Sequence, residues 1–182
     1  MKKYFIFLML SFFIFEVLAI LLSVRSFLYP LRYENMINHY SQEKSFSSSV
    51  IASIINVESG FKSKAKSNAG ACGLMQVLPS TANYICSLYE LGSIEKDDLF
   101  KPEINIKIGV NYLFYLTQKF DDFDTVLASY NAGETVVRNW LKNEHYSHDG
   151  KTLNFIPYKE TRNYIKKVKR NMKVYRSYKA FS

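Results

Sequence analysis

The sequence predicts a mainly helical domain preceded by one membrane-spanning helix. Three observations support this fold class. A nearly uninterrupted apolar run occupies residues 4–22. Later segments repeat apolar residues at spacings of three and four, as in Ile51, Ile54 and Ile55, which is the period of a buried helix face. Few segments alternate apolar and polar residues, so we expect at most a small β-hairpin in the loop at residues 70–77.

The apolar run predicts an N-terminal membrane anchor at residues 1–27, because about twenty apolar residues span a bilayer. Glu16 opposes insertion by roughly 3 kcal/mol, whereas fourteen Leu, Ile, Phe and Val residues favour it by roughly 4 to 8 kcal/mol together. Lys2 and Lys3 favour a cytoplasmic N-terminus, which sends the remainder across the membrane. A cleavable signal peptide is the alternative, although Ser23-Val24-Arg25-Ser26 is a poor cleavage site.

Residues 28–44 are predicted to link this anchor to a domain at residues 45–182. Pro30 breaks the preceding helix, and a short helix is expected around residues 34–40. Serines at positions 45 and 47–49 are N-cap candidates for a helix that ends near Glu58, and Gly60 is its expected stop.

Glu58 is the candidate catalytic residue. Isoleucines lie seven, four and three residues before it, which are the offsets that place side chains on one helix face, so Glu58 is expected to point inward. Ionised carboxylates are seldom buried without a partner, and an inward Glu therefore indicates a raised pKa and a functional cleft. The alternative is a carboxylate at the end of the helix that turns out to solvent.

The glycine-rich loop, residues 67–77, is followed by two helices that each begin with a proline. Pro79 begins the first, which Gly92 is expected to end. Pro102 begins the second and longer one. Gly109 lies inside it at a cost of about 1 kcal/mol relative to Ala, so we expect a close helix contact there.

The C-terminal third predicts three more helices. Asp121, Asp122 and Asp124 favour a helix start, with a catalytic or calcium-binding role as the alternative. Gly133 is expected to break that helix, residues 134–142 form a short one, and residues 143–154 form a polar loop. The last helix covers residues 159–178, with a single apolar stripe.

Most of the positive charge lies in this last segment. From residue 159 onward, nine Lys and Arg residues stand against one acid, Glu160, while the formal net charge of the whole chain is +8. A basic tail with interleaved apolar residues suits an acidic membrane surface, an anionic polymer or nucleic acid, and a solvated helix face is the structural alternative.

The cysteines and histidines indicate no metal site and no cofactor. Cys72 and Cys86 lack metal-ligand spacing with His39, His145 or His148. We expect two free buried thiols, with a disulfide as the alternative, and we expect His145 and His148 on the surface.

Four blocks of residues occur in the order found in one enzyme family. They are Glu58-Ser59-Gly60-Phe61 with Ala69-Gly70-Ala71-Cys72-Gly73-Leu74-Met75-Gln76, then Gly109-Val110-Asn111-Tyr112-Leu113, Ser129-Tyr130-Asn131-Ala132-Gly133 and Pro157-Tyr158-Lys159-Glu160-Thr161-Arg162-Asn163-Tyr164. On these motifs, residues 45–175 resemble the catalytic domain of the soluble lytic transglycosylase (SLT) family.

The resemblance implies a lysozyme-like fold and a single catalytic acid. In that family the Glu matching Glu58 protonates the oxygen of a peptidoglycan MurNAc-GlcNAc bond. It then takes a proton from the C6 hydroxyl of the MurNAc, which closes a 1,6-anhydro ring without consuming water. Most glycosidases use a second carboxylate, and no second acid is singled out here by spacing.

Other site residues are assigned by resemblance, each with an alternative. Ser59 is expected to orient the sugar or the carboxylate, or else to cap a helix. Met75 and Gln76 are expected to line the cleft. Tyr130 is expected near the acid, where its phenol orients Glu58. Further substrate-binding candidates are Asn131, which is otherwise a turn residue, and Glu160, which otherwise forms an ion pair with a nearby cation.

Three functions remain open from sequence: a membrane-anchored lytic transglycosylase, a lysozyme-type hydrolase of the same polymer, and a non-catalytic wall-binding scaffold. The expected partners are peptidoglycan strands and the membrane, with envelope proteins as further candidates and no nucleic acid. The chain is expected to be a monomer, with its domain on the periplasmic or cell-wall side of the membrane.

Overall fold

The computed structural model describes the backbone of residues 2–178 and the side chains of residues 4–178. The chain forms two compact units, which divide between Arg32 and Tyr33. Some predictions fall outside the described residues. They are the outer boundaries at residues 1 and 182, the side chains of Lys2 and Lys3, and Lys179 of the basic tail.

The first unit is built on one long apolar helix, α1, Lys2–Leu28. Its segment Tyr4–Leu28 is long and apolar enough to cross a membrane, and its most apolar 18-residue stretch has a mean hydropathy of 2.8. The side chains of residues 4–28 are all exposed, including Glu16. Because so much bare apolar surface is unfavourable in water, the length and composition of α1 agree with the predicted spanning helix.

Within the described residues the regular secondary structure of the second unit is helical, apart from two isolated β-bridges. These join Lys66 with Cys72 and Cys72 with Val77. Its α-helices are α2 Glu34–Glu43, α3 Ser48–Ser59, α4 Pro79–Leu88, α5 Pro102–Thr117, α6 Phe123–Ala132, α7 Glu134–Leu141 and α8 Lys159–Tyr175. A short 3-10 helix, Lys96–Phe100, precedes α5. The mainly helical prediction is confirmed, and the bridges lie where a small hairpin was expected.

The short helix expected in the linker is present as α2 and packs against α3 and α5. Ile37 and Tyr40 of α2 are buried. The compact unit therefore begins at Tyr33, which is earlier than the predicted domain boundary at residue 45, because α2 contributes an apolar face to the same core.

The core forms where α3 packs along α8, the most extensive helix pair of the unit. Ile51, Ile54 and Ile55 of α3 are fully buried, and the apolar stripe of α8 is buried against them through residues such as Ile165 and Val168. Both stripes were predicted from spacing. This pairing brings the C-terminal end of α3, which carries Glu58, against the first turns of α8.

The helix ends follow the predicted signals. Gly60 ends α3 with a left-handed φ of 57°, and Pro79 and Pro102 stand at the first positions of α4 and α5. Asp122 caps α6, since its side chain accepts a hydrogen bond from the Thr125 amide at 2.8 Å. Gly133 separates α6 from α7. The prediction of a helix start around the three aspartates is confirmed.

The cysteines and histidines also lie as expected. Cys72 and Cys86 are both free and buried, which confirms the prediction of two buried thiols. His145 and His148 are exposed in the loop that follows α7. Cys72 closes the bridged loop through two backbone hydrogen bonds with Val77, both of 3.0 Å, so its neighbours are held in a fixed turn next to Glu58.

Candidate active site

Glu58 lies in a cleft of about 460 Å³ between the end of α3 and the start of α8. The left-handed turn at Gly60 stops α3 two residues after Glu58, so this side chain projects from the last helical turn. The lining residues come from three helices: Val57, Glu58, Asn131, Lys159, Glu160, Asn163, Tyr164 and Lys167.

The environment of Glu58 favours a protonated carboxyl. Burial is the largest influence and raises the pKa of Glu58 from 4.5 to about 7. The Tyr164 hydroxyl lowers this pKa, while the negative charge of Glu160 raises it. No ion pair within the described residues involves Glu58. This carboxyl therefore keeps its proton to higher pH than an ordinary one, as a general acid requires.

Tyr164 lines the cleft, although sequence reasoning assigned it no role. It is 5% exposed, and its hydroxyl makes no hydrogen bond of normal geometry within the described residues. Burial and the charge of Glu58 raise its pKa well above the ordinary value, so the phenol stays neutral. The Glu58 carboxyl is the group with which this buried hydroxyl interacts, since the hydroxyl lowers the Glu58 pKa. The available signal for Tyr164 was its place at the end of the fourth motif, Pro157 to Tyr164.

Tyr130 lies near Glu58, but its hydroxyl makes a hydrogen bond to a different group. The hydroxyl donates a 2.8 Å hydrogen bond to the backbone carbonyl of Met75. Burial, followed by the charge of Glu58, raises the pKa of Tyr130 well above its ordinary value. The tyrosine ring also packs against Tyr112, with centroids 5.2 Å apart. Tyr130 thus ties the glycine-rich loop to α6 beside the acid.

Ser59 and Gln76 hold the same loop. The Ser59 hydroxyl oxygen lies 2.7 Å from the Leu74 carbonyl oxygen and 3.0 Å from the Ile55 carbonyl oxygen of its own helix, so these two acceptors share its single proton. The Gln76 amide nitrogen donates to the carbonyls of Gly73 at 2.8 Å and Ala65 at 3.2 Å. Both side chains therefore use their donors on backbone carbonyls of this part of the chain.

Met75 is completely buried, so its side chain belongs to the core and does not line the cleft. A Cβ atom added at Gly109 of α5 would lie 2.5 Å from the Met75 sulfur, which shows how closely the loop approaches that helix. The close contact expected at Gly109 is thus present, and its partner is a loop residue rather than a helix.

Asn105 is the main anchor of the loop, and sequence reasoning did not identify it. It is fully buried in α5. Its amide nitrogen donates to the carbonyls of Cys72 at 2.9 Å and Leu99 at 2.8 Å, and its oxygen accepts from the Met75 amide at 2.7 Å. Because two of these bonds satisfy the loop backbone and the third joins it to the 3-10 helix, Asn105 fixes the position of the segment next to Glu58.

Asn131 and Glu160 meet at the cleft from α6 and α8. The Asn131 oxygen accepts a 2.8 Å hydrogen bond from the Thr161 hydroxyl, which joins the two helices. Glu160 is exposed and takes part in no ion pair within the described residues. Of the sequence-predicted site residues, Glu58, Asn131 and Glu160 line the cleft. Ser59, Met75, Gln76 and Tyr130 belong to the loop and its contacts.

The model of the family described as Transglycosylase SLT domain matches residues 35–154. The soluble lytic murein transglycosylase of Salmonella typhimurium is 38% identical over 144 residues, which are 77% of this chain and 22% of that protein. The membrane-bound lytic murein transglycosylase C of Histophilus somni is 32% identical over 167 residues, which are 80% of this chain and 46% of that protein. The chain thus spans about a fifth of the length of the soluble relative.

Solved structures of lytic transglycosylases are similar to this chain, and two of them illustrate the match. One is the lytic transglycosylase Slt of Pseudomonas aeruginosa, an inactive Glu-to-Gln mutant. Its TM-score is 0.73 at 29% identity, over 83% of this chain and 25% of that chain. The other is the 70 kDa soluble lytic transglycosylase of Escherichia coli, with a TM-score of 0.71 at 32% identity over 84% and 26% of the two chains. These similarities confirm the predicted lysozyme-like SLT fold.

Proposed function

The chain belongs to the transglycosylase SLT domain family, and on that premise we propose that it is a peptidoglycan lytic transglycosylase with Glu58 as its only acid and base. The observation that carries this proposal is the placement of Glu58 in a cleft, with a pKa of about 7. The named activities of the relatives, which are lytic murein transglycosylases, support the choice of substrate.

The proposed reaction has two proton transfers at one carboxyl. Protonated Glu58 donates its proton to the glycosidic oxygen between MurNAc and GlcNAc. The bond from this oxygen to the anomeric carbon of MurNAc then breaks, and positive charge develops on that carbon. The resulting carboxylate takes the proton of the MurNAc C6 hydroxyl, whose oxygen bonds to the anomeric carbon. A 1,6-anhydro end forms, no water is consumed, and Glu58 regains its proton.

The neighbouring groups suit this cycle. The Tyr164 hydroxyl lowers the pKa of Glu58 and thereby favours the carboxylate formed after the first step. Glu160 raises that pKa and favours the acid that the first step needs. We propose that Asn131 and Glu160 contact the glycan in the cleft, that Ser59, Met75 and Tyr130 shape the cleft through the loop, and that Gln76 offers its amide oxygen to a sugar.

The same proposal places the enzyme at a membrane. The apolar helix α1 is long enough to span a bilayer, and several relatives are named membrane-bound lytic murein transglycosylases. With Lys2 and Lys3 on the cytoplasmic side, a single α1 span would carry the domain to the side where peptidoglycan lies. Residues 1–32 then act as the anchor, residues 33–182 act as the catalytic domain, and the enzyme works as a monomer.

A lysozyme-type hydrolase is the second candidate, and Glu160 is the observation that favours it. Glu160 supplies a second carboxylate to the cleft of Glu58, as most hydrolytic glycosidases require. The deciding experiment is a digest of purified peptidoglycan by the full chain in detergent micelles, followed by mass analysis of the soluble fragments. We expect fragments that lack one water relative to hydrolysed ends. Fragments with reducing ends would show a hydrolase, and no release would show a non-catalytic scaffold.

The pH dependence of cleavage is a further prediction. Because the first step needs protonated Glu58, the rate should be level below pH 7 and fall about tenfold per pH unit well above it. Replacing Glu160 by Gln removes a charge that raises the Glu58 pKa, so this decline should move to lower pH. Replacing Tyr164 by Phe removes a group that lowers the pKa, so the decline should move to higher pH. The initial rate of fragment release across pH 5–9 measures both shifts.

Matched controls for this pair are Glu144→Gln and Tyr146→Phe, which change the same side chains in the loop after α7, outside the cleft. Their pH profiles should coincide with that of the unmodified chain. If Glu160→Gln and Tyr164→Phe moved the decline in cleavage rate in the same direction along the pH scale, these residues would not act through the charge of Glu58.

A further inference from the structure

A second cleft, the α8 groove, lies away from Glu58. It has a volume of about 480 Å³ and is lined by Asp124, Ile156, Arg162, Ile165, Lys166, Lys169, Arg170 and Lys173. It shares no lining residue with the Glu58 cleft. Residues of α8 line both clefts, but the two sets lie on different sides of the helix, with its buried face between them.

The α8 groove is strongly basic. Its lining holds five cationic side chains and one acid, Asp124. Asp124 is paired with Lys169 at 2.9 Å, and Arg162 donates to the Pro157 carbonyl at 2.9 Å. Lys166, Arg170 and Lys173 are exposed, and none of the described hydrogen bonds or ion pairs involves their side chains. Three cationic groups are therefore available to an anionic ligand.

The α8 groove also has an apolar part. Ile156 and Ile165 lie among the cations. Phe155 is 51% exposed beside them, with the Arg162 guanidinium 5.3 Å from its ring centroid. Cations beside aliphatic and aromatic surface match a phosphate headgroup joined to an acyl chain, since aromatic rings and basic side chains both favour the membrane interface. A wall polymer of sugars and phosphates has no acyl chain to place against this apolar part.

We propose that the α8 groove binds the anionic headgroup of a membrane phospholipid, with Lys166, Arg170 and Lys173 on the phosphate. The inference rests on the anchoring part of the proposed function, because the same chain carries α1 only four residues before the second unit. The groove would then hold the catalytic domain at the membrane surface, and the Glu58 cleft takes no part in lipid binding.

The test compares lipid retention by three full chains in detergent micelles. Native mass spectrometry measures the bound fraction after addition of phosphatidylglycerol or phosphatidylcholine. We expect the unmodified chain to prefer phosphatidylglycerol. In the triple variant Lys166→Gln, Arg170→Gln, Lys173→Gln, this affinity should fall at least tenfold, since each cation near a headgroup contributes roughly fivefold. Lys96→Gln, Lys119→Gln, Lys142→Gln is the matched control, with three exposed lysines removed elsewhere. It should keep the preference.

The proposal that the groove is a lipid site would be overturned if both triple variants lost the same affinity for phosphatidylglycerol, or if neither lost any. Co-sedimentation with peptidoglycan provides a second arm. A groove variant that loses peptidoglycan binding but keeps phosphatidylglycerol would assign the groove to the wall polymer instead. The lipid measurement needs no cleavage, and α1 is present in every variant. A chain that prefers phosphatidylglycerol but releases no anhydro fragments would therefore refute the proposed function and leave the lipid site in place.

Discussion

We expect Glu58→Gln to lower the rate of peptidoglycan cleavage by roughly a thousandfold, within the range attributed to general acid catalysis. Glutamine has nearly the same shape and cannot donate a proton to a leaving oxygen, so the first step loses its acid and the second loses its base. Folding and polymer binding should persist, because Glu58 makes no ion pair within the described residues. Fragment release and co-sedimentation with peptidoglycan measure the two properties separately.

The same substitution should stabilise the fold in alkaline solution. The pKa of Glu58 is about 7 in the folded chain and 4.5 for an ordinary carboxyl. The folded state therefore favours the protonated form. This contribution to stability is fully present below pH 4.5 and is lost as the pH rises through 7. Above pH 7 the fold buries an ionised group at a cost of about 3 kcal/mol, which the neutral amide avoids.

Chemical denaturation at pH 4 and pH 8, followed by the fluorescence of Trp140, measures this effect. Glu58→Gln should raise the free energy of unfolding at pH 8 and change it little at pH 4. Glu144→Gln, at an exposed position, should leave the free energy of unfolding unchanged at both pH values. Undiminished fragment release by Glu58→Gln would remove this residue from the mechanism, and equal stability at pH 8 would show that its carboxyl is not desolvated.

The largest expected loss of stability follows Gly73→Ala. Gly73 has a φ of +79°, and an added Cβ would lie 2.2 Å from both the Leu99 carbonyl oxygen and the Asn105 amide nitrogen. The backbone must shift, which breaks the hydrogen bonds of Asn105 and leaves buried polar groups unpaired. We expect the free energy of unfolding to fall by more than about 3 kcal/mol, with a loss of cleavage as the loop moves away from Glu58.

Gly70→Ala is the matched control for this substitution. Gly70 has a similar φ of +86°, but an added Cβ would meet nothing within 4 Å. Its cost should be limited to backbone strain of about 1 kcal/mol. Denaturation curves of the two variants separate the clash from the strain. Equal decreases in the free energy of unfolding of the two variants would contradict the role given to the contact between Gly73 and Asn105.

Local sequence patterns predicted the helices well because each pattern depends on neighbours in the chain. The isoleucines before Glu58 gave the inward face of α3, and Gly60 gave its end. The N-terminal boundary of the domain was less well predicted. Only contacts of Ile37 and Tyr40 with distant helices show that α2 belongs to the core.

The site itself was predicted unevenly. Glu58 stood out by spacing and by resemblance, whereas Tyr164 and Asn105 did not. Asn105 is 30 residues from Met75, its backbone partner in the loop, and Tyr164 reaches Glu58 only because α3 and α8 pack together. No local pattern encodes such pairings. The Tyr130 hydroxyl is a similar case, because its hydrogen bond to Met75 depends on where the loop lies.

The central claim is that Glu58 holds a proton close to neutral pH. Infrared difference spectroscopy of the full chain against Glu58→Gln, recorded across pH 3–9, isolates the titration of this one carboxyl. We predict a midpoint near pH 7, with protonated carboxyl absorption still present at pH 6. A midpoint near 4.5 would mean that the carboxyl is ionised and solvated at neutral pH, and it would contradict the account.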